Sequence, residues 1–341
     1  MADGGAKSSD ARVTIRTVAA DSGVSVAAVS KVLRNAYGVS DALRLKVEAS
    51  IGRLGYRPSV AARGMRGQTF TLGVLLVDFD NPFLPQIYRG IESVTAGAGY
   101  KIMVGVGAAQ TRMEAQLIEQ MIDNRMDGLI LVASQMSGAT LDHFARQTPI
   151  VVVGHHEPSA ETFDTVNNDD RYGARLAVRA LVARGHRDIA MIALPDPDLY
   201  PANVSPQRER GYRDAMTEAG LSDKARVIYF PQTEGPRAAE MNTFLTAPNR
   251  PRALFCWSDL DAIPLINLAF QLGIRVPQDL AIVAYDNSPV AALPLISLAS
   301  VDQAGVRLGQ LSAEALLSRM NGRKVAEHIL IEPTLVVRGS L

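Results

Sequence analysis

Apolar residues recur in two rhythms along this chain. In "VTIRTVAADSGVSVAAVSKVLRN", Val13 to Asn35, they fall three and four apart, the spacing of one helix face. Val18 and Ala19 give a small apolar face to a first helix from about Ile15 to Asp21, which Thr14 is placed to cap. Gly23 supplies the turn. Ser25 then caps a second helix, in which Val29, Val32 and Leu33 face inward while Val26, Ala27, Ser30, Lys31 and Arg34 stay outside. A third helix begins at Ser40 and carries Leu43, Val47, Ile51 and Leu54 on one stripe. The spacing predicts a helix-turn-helix closed by a third helix, with the second helix shaped to enter a major groove. Next, "GYRPSVAARGM", Gly55 to Met65, places Pro58 where a first helical turn tolerates it, but about two turns are too few to hold a helix alone.

From Phe70 onward the rhythm becomes short apolar runs separated by helix-length stretches: "TLGVLLV", "KIMVGV", "GLILVA", "PIVVVG", "DIAMIAL", "VIYF", "ALFCW" and "LAIVAY". Near-continuous hydrophobicity in each run predicts buried parallel strands, covered on both faces by helices. Two sheets are needed to hold them all. The predicted fold class is therefore a small all-α helix-turn-helix domain followed by a doubly wound α/β domain of two subdomains.

Composition narrows the chemistry. The 341 residues, 47% of them hydrophobic, suffice for more than one core. A single cysteine, Cys256, excludes an internal disulfide framework, and no Cys/His cluster has zinc-site spacing, so neither metal nor cofactor is expected. No apolar run approaches the roughly 18 residues needed to span a bilayer, and "MADGGAKSSDAR" lacks the apolar core of a signal peptide, so a cytoplasmic protein without a membrane partner is expected. The formal charge of zero hides an asymmetry. Up to Arg66 there are eleven basic and five acidic residues, a net of +6 that leaves −6 for the remainder. Such a pairing suits a chain whose first module alone meets a polyanion.

The stretch from Thr14 to about Met65 resembles the headpiece of the lac repressor family, bacterial transcription regulators that read palindromic operators as dimers. The resemblance continues through the whole chain, because the body from about Thr69 to Arg338 resembles the periplasmic-binding-protein fold that holds the effector site in that family. It implies a tail over 1–11, a headpiece over 12–57, a hinge helix and linker over 58–68, and an effector-binding and dimerisation domain over 69–341. Within that domain it implies one subdomain of about 69–168 and 301–328, and another of about 169–300 and 329–341. DNA contacts are implied at Thr14, Arg16, Ser25, Val26, Ala27, Ser30, Lys31 and Arg34, and at Ser59, Ala62 and Met65 of the hinge. Met65 replaces the family's leucine wedge, Gly64 replaces a serine, and Val26 and Ala27 replace residues that are often polar. These last two would read thymine methyl groups or simply fit.

For the effector the resemblance implies a cleft at the carboxyl ends of the strands. In "DFDNPFL", Asn81 would pair with a hydroxyl, and Phe83 would offer an apolar platform; a plain turn at Pro82 is the alternative. Arg208 in "SPQRERGY" and Asp286 in "AYDN" match ligand-binding positions, and an aspartate can accept from two vicinal hydroxyls. Gln303 in "SVDQ" matches a sugar-contacting position or serves as a structural hydrogen-bonder. Trp257, Ser258, His155 with His156, and Asn168 are further candidates, each with a structural alternative. Leu84, standing where purine-binding relatives carry an aromatic, points to a carbohydrate or polyol instead.

Three function classes compete: an effector-controlled repressor, a solute-binding protein and an enzyme using the same cleft. The headpiece disfavours the second. No G-x-S-x-G elbow and no P-loop supports the third. The sequence closes on "TLVVRGSL" without a heptad helix, so a homodimer acting at the nucleoid is expected.

Overall fold

The computed structural model describes residues 13–33, 36–57, 68–195, 202–231 and 234–341. The chain divides into two compact units, Met1–Thr69 and Phe70–Leu341.

The first unit holds helices α1 (Ile15–Ser22), α2 (Val26–Leu33) and α3 (Asp41–Leu54). Thr14 caps α1 through a capping box with Thr17, and Gly23 ends it at φ 62°, a left-handed conformation that favours glycine. Ser25 accepts from the Ala28 N–H at 3.1 Å and Ser40 from the Leu43 N–H at 3.3 Å, so each later helix also starts on a side-chain cap. Val18, Ala19, Val29, Val32, Val47 and Tyr56 are buried together, and Leu43, Ile51 and Leu54 close around them. A polar clasp joins α1 to α3, with Ser50 Oγ donating to Asp21 at 2.5 Å and Arg53 pairing with the same oxygen at 2.7 Å.

The second unit contains two six-stranded sheets. Strands β1 (Thr71–Leu76), β2 (Lys101–Val106), β3 (Gly128–Val132), β4 (Ile150–Val153) and β5 (Asp164–Asn168) build the first. Strands β6 (Ile189–Ala193), β7 (Arg226–Tyr229), β8 (Ala253–Cys256), β9 (Ala281–Asp286) and β10 (Ala299–Asp302) build the second. The chain then returns to the first sheet for β11 (His328–Ile331), and once more to the second for β12 (Thr334–Val336). The strand orders are β11-β5-β4-β3-β1-β2 and β12-β10-β9-β8-β6-β7. Every pairing is parallel except that of β12 with β10. The last passage differs from the expected division: β11 pairs with β5, so the final return to the second half falls between Ile331 and Thr334, not at residue 329. Likewise β10 carries the second half to Asp302 rather than to 300.

Helices cover both faces of the sheets. In the first half α4 (Leu84–Thr95), α5 (Thr111–Asp123) and α6 (Gly138–Ala145) fall between its strands in the chain; in the second, α7 (Asp170–Ala183) precedes β6, and α8 (Val204–Glu218), α9 (Glu234–Thr246) and α10 (Asp259–Gln271) fall between its strands. The long α11 (Gly305–Met320) packs its buried Leu308, Ala313 and Leu316 with Ile87 and Ile91 of α4. Strands β1, β3, β4, β6, β8 and β9 are buried along nearly their whole length, as their composition predicts. Strands β2 and β7 are not. Each is the outer strand of its sheet and leaves much of its length exposed, with Met103 55% accessible. No described helix is long and apolar enough to cross a membrane.

Candidate functional site

The carboxyl ends of β1, β3, β4 and β5 face those of β6, β8 and β9 across a cavity of about 410 Å³. Parallel sheets place their loops and helix starts at this edge, where backbone groups not used by the ladder are available to a ligand. The lining is largely aliphatic, including Leu84, Ile87, Val132, Val153 and Leu308. Its polar groups converge on one buried carboxylate.

Asp286, 2% accessible, ends β9 with φ 111°, a conformation that non-glycine residues rarely adopt. The strain is held by its partners. Gln303 Nε2 donates to Oδ1 at 2.6 Å, Asn81 Nδ2 donates to Oδ2 at 3.3 Å, and Arg208 Nη1 lies 3.6 Å from Oδ1. Burial pushes this carboxyl up to about 7, against the opposing pull of Arg208. Arg208 is itself buried. Its Nε donates to Asp170 Oδ1 at 2.7 Å, its Nη1 donates to the Trp257 carbonyl at 2.5 Å, and its guanidinium carbon stands 3.7 Å from the centre of the Tyr285 ring. Removal from water acts against its charge, but the carboxylates of Asp170 and Asp286 more than restore it. Asp170 takes a second bond, at 2.8 Å from His156 Nε2. Burial acts against ionisation there too, yet Arg208 and His156 hold the Asp170 carboxyl below its ordinary range.

Asn168 is held on both sides, accepting from Tyr285 Oη at 2.9 Å and donating to the Gln303 carbonyl at 3.4 Å. Tyr285 reaches it only because residue 173 is glycine, since a Cβ there would overlap the phenol oxygen. Asn81 also accepts from the Phe83 N–H at 2.9 Å, which fixes the turn that sets Phe83 and Leu84 at the cavity. Trp257 lines the cavity with its indole N–H directed to Asp261, a carboxylate that Arg237 also pairs.

Eight of the ten residues expected at the cleft therefore line it together: Asn81, Phe83, Leu84, Asn168, Arg208, Trp257, Asp286 and Gln303. Two do not. Ser258 is fully buried and caps α10, accepting from the Leu260 N–H at 3.1 Å, because the polar residue after β8 is needed to satisfy a helix start. His155 turns away from the cavity and packs against Phe163, ring centres 6.3 Å apart, with neither ring nitrogen hydrogen-bonded. Desolvation lowers its pKa to about 4. His156, expected beside it, reaches Asp170 rather than the cavity. Asp78, Gln135, Asp170 and Asn203 line the cleft without having been read from sequence. Of these Asp170 carried the clearest signal, as the second of two aspartates that open a helix: Asp169 caps it and Asp170 is left to point inward.

In the headpiece, Thr14, Arg16, Ser25, Val26, Ala27 and Lys31 are exposed on the faces expected to meet DNA. Ser30 is a correction. It is 8% accessible, lying beside Val29 on the inner side of α2 and not on the outer one. Arg34, the hinge residues Ser59, Ala62 and Met65, and the tail over 1–11 lie outside the described residues. Among the described residues no group of His, Cys, Asp or Glu is arranged to hold a metal ion.

A three-helix DNA-reading headpiece joined to a two-lobed, ligand-sized cleft defines a ligand-responsive transcription regulator. The comparisons agree part by part: residues 14–59 match the bacterial regulatory proteins of the lacI family, and residues 178–341 match the periplasmic binding protein-like domain. The HTH-type transcriptional repressor PurR of Erwinia tasmaniensis is 33% identical over 337 residues, 96% of each chain. A solved complex of the transcriptional regulator CelR with cellobiose is 28% identical, covers 97% of this chain and 100% of its own, and superposes with a TM-score of 0.70. The lac repressor dimer bound to operator and the anti-inducer ONPF shares the fold at a TM-score of 0.81, with 24% identity and 96% and 98% coverage. The chain belongs to the lacI family of regulators. It is a DNA-binding transcription regulator controlled by a small-molecule effector, and not an enzyme.

Proposed function

We propose that the effector is a carbohydrate or polyol bound between Asn81 and Asp286, and that its binding sets the affinity of a homodimer for a palindromic operator. One observation carries the ligand class: a buried aspartate faces the cavity among amide donors, leaving acceptor positions for vicinal hydroxyls. A carboxylate offers about four lone-pair sites, and Gln303 and Asn81 occupy one each. The sugar complex of a similar regulator supports the same class. A thermal-shift screen across sugars, polyols and nucleobases tests it, since a ligand at about 100 times its dissociation constant adds roughly 2.7 kcal/mol. Stabilisation by nucleobases alone would overturn the carbohydrate assignment.

Pairing of two copies is supported by apolar side chains left outside both halves. Met103 and Val104 stand exposed on the outer strand β2, and Phe270 and Leu295 are 83% and 97% accessible. Such groups seek cover in a symmetric contact. In the headpiece α2 enters the major groove with Ser25, Val26, Ala27 and Lys31, backed by Thr14, Arg16 and Arg34. Ser59, Ala62 and Met65 of the hinge contact DNA, with Met65 as the minor-groove wedge that the family resemblance implies. Met65→Ala should weaken specific binding more than non-specific binding in an operator titration. Equal loss on both would remove the wedge.

A further inference from the structure

A second buried carboxylate stands behind Asp286. Asp259 opens α10 next to the capping Ser258; it is 1% accessible and lies outside the cavity lining. Both of its oxygens serve the turn that follows β9. Oδ2 accepts from the Ser288 N–H at 2.7 Å, and Oδ1 accepts at 2.7 Å from the Ser300 hydroxyl of β10, whose oxygen in turn accepts from the Asn287 N–H at 2.9 Å. One side chain thus satisfies, directly or through a single relay, the two backbone donors that come immediately after Asp286. From the segment after β12, Arg338 donates to the Asn287 side-chain oxygen at 2.6 Å and to the Leu298 carbonyl at 2.7 Å.

That turn needs holding. Asp286 and Asn287 stand at φ 111° and 48°, two non-glycine residues in succession in a half of backbone space that side chains disfavour. Its braces come from α10, β10 and the segment after β12, at separations of 29, 13 and 51 positions, so the local sequence does not set this conformation. Without them the backbone would relax, and the Asp286 carboxyl would leave the donors Gln303 and Asn81. Asp259 also acts through its charge. Burial pushes the Asp286 carboxyl up, Arg208 of α8 draws it down, and Asp259 pushes it up again, while Asn81 and Gln303 draw it down from the loops after β1 and β10. Asp170 and Tyr285 face the same guanidinium, and Arg338 faces Asp259.

We infer, on the reading that Asp286 is the carboxylate meeting the effector, that Asp259 is its positioning residue: through the Ser288 N–H and the Ser300 relay it fastens the turn that aims Asp286 across the cleft. Asp259 itself touches no ligand. Its work is done on the far side of the turn, in contact with α10 and β10.

Infrared titration of the full-length protein tests this without a ligand. A buried carboxyl that keeps its proton near neutrality gives a C=O band apart from those of ionised carboxylates, and subtracting the Asp286→Asn counterpart of each protein assigns the band to Asp286. In the parent the band should disappear with a midpoint at about 7. Ser300→Ala keeps the Asp259 charge but removes the relay, so the turn should loosen, admit water and lower the proton affinity of Asp286 by about threefold or more. Asp259→Ala removes charge and brace together and should lower it by about tenfold or more. Amide hydrogen exchange over 286–290, read by mass spectrometry, should rise about tenfold in both while α10 stays protected. Asp259→Asn separates the two contributions. Its amide oxygen can take the Ser288 N–H while its nitrogen donates to Ser300, so exchange over the turn should stay near the parent's although the lost charge still lowers the Asp286 proton affinity. A smaller change than this in Ser300→Ala, even with stability lost, would show that Asp259 serves the fold alone, and so would a parent in which Asp286 titrates like an exposed aspartate. If Asp259→Ala does not fold, Ser300→Ala decides. A screen in which no sugar binds sinks the carbohydrate assignment and leaves the role of Asp259 standing.

Discussion

Asn81 Nδ2 and Asp286 Oδ2 stand 3.3 Å apart although 205 positions separate the two residues in the chain. Asn81 follows β1 in one half of the effector domain and Asp286 ends β9 in the other, so this one bond crosses the cleft. On the proposed binding mode, a ligand seated between them would exchange a direct contact for two of its own, and that exchange would turn chemistry in the cleft into a change in the spacing of the halves.

Asp286→Ala should abolish this exchange. Loss of a hydrogen bond to a charged group costs about 1.5–3 kcal/mol, roughly a tenfold to hundredfold weakening of effector affinity by calorimetry. Operator binding without effector should persist. A variant that keeps the parent's response to effector would remove Asp286 from the site.

The same residue sets a pH dependence. Its folded carboxyl titrates near 7 while an unfolded one titrates near about 3.9, so the folded chain holds this proton longer. Its contribution favours folding at low pH and is lost as the pH rises from about 4 to 7. Effector affinity should run the opposite way, increasing through pH 7 as the carboxylate that accepts hydroxyls forms. Asp286→Asn should flatten both trends in urea titrations and in binding isotherms; a parent affinity independent of pH between 6 and 8 would contradict the ionised form as the acceptor.

His155 acts with the other sign. Its folded value near 4 lies below the unfolded value near 6.5, so its share of stability is complete above pH 6.5 and is lost as the pH falls towards 4. His155→Leu removes two buried nitrogens that have no partner and keeps the apolar contact with Phe163. We expect it to stabilise the protein by about 1 kcal/mol at pH 7, and more at pH 5, in denaturant titrations. A loss of stability at both pH values would show that the ring has a partner in solution.

Helices α4 and α11 approach so closely that a Cβ on Gly309 would overlap the Ile87 carbonyl, and one on Gly90 would overlap the Val306 carbonyl. Gly309→Ala should therefore cost about 1–3 kcal/mol of stability. An unchanged urea midpoint would show that the helices can separate freely.

Removal of the chain up to about residue 69 should leave a folded, effector-binding domain that no longer binds DNA, because the two units are separately compact and the +6 charge lies in the first. The intact protein should lose operator affinity steeply with salt, with a slope of about −0.9 per neutralised phosphate. Specific DNA binding by the truncated chain would contradict this division.

The elements that could be read from sequence were those in which burial and composition agree. Strand β5 was missed because "DTVNN" is polar yet wholly buried. Asp164 is held by Arg319 and Arg323, Asn167 by the His155 backbone, and Asn168 by Tyr285, all of them partners remote in sequence. Strands β2 and β7 were misjudged in the other direction, since apolar composition cannot show which strand lies at a sheet edge. At the cleft the residues recovered are those that the family resemblance marks. Asp170 and Asp78 escaped because an acidic residue at a helix start or turn is usually a cap, as Asp169 in fact is.

The effector domain is threaded so that its first half is left open for some 160 residues. β11 becomes the neighbour of β5 only after the whole second half, from β6 to β10, has been made. During synthesis, then, the earlier half emerges with β5 unpaired on one side, while the later half gathers almost all its strands in one continuous stretch and lacks only β12. The lobe made first should therefore become resistant to protease only when nearly the whole chain has left the ribosome, a delay set by threading.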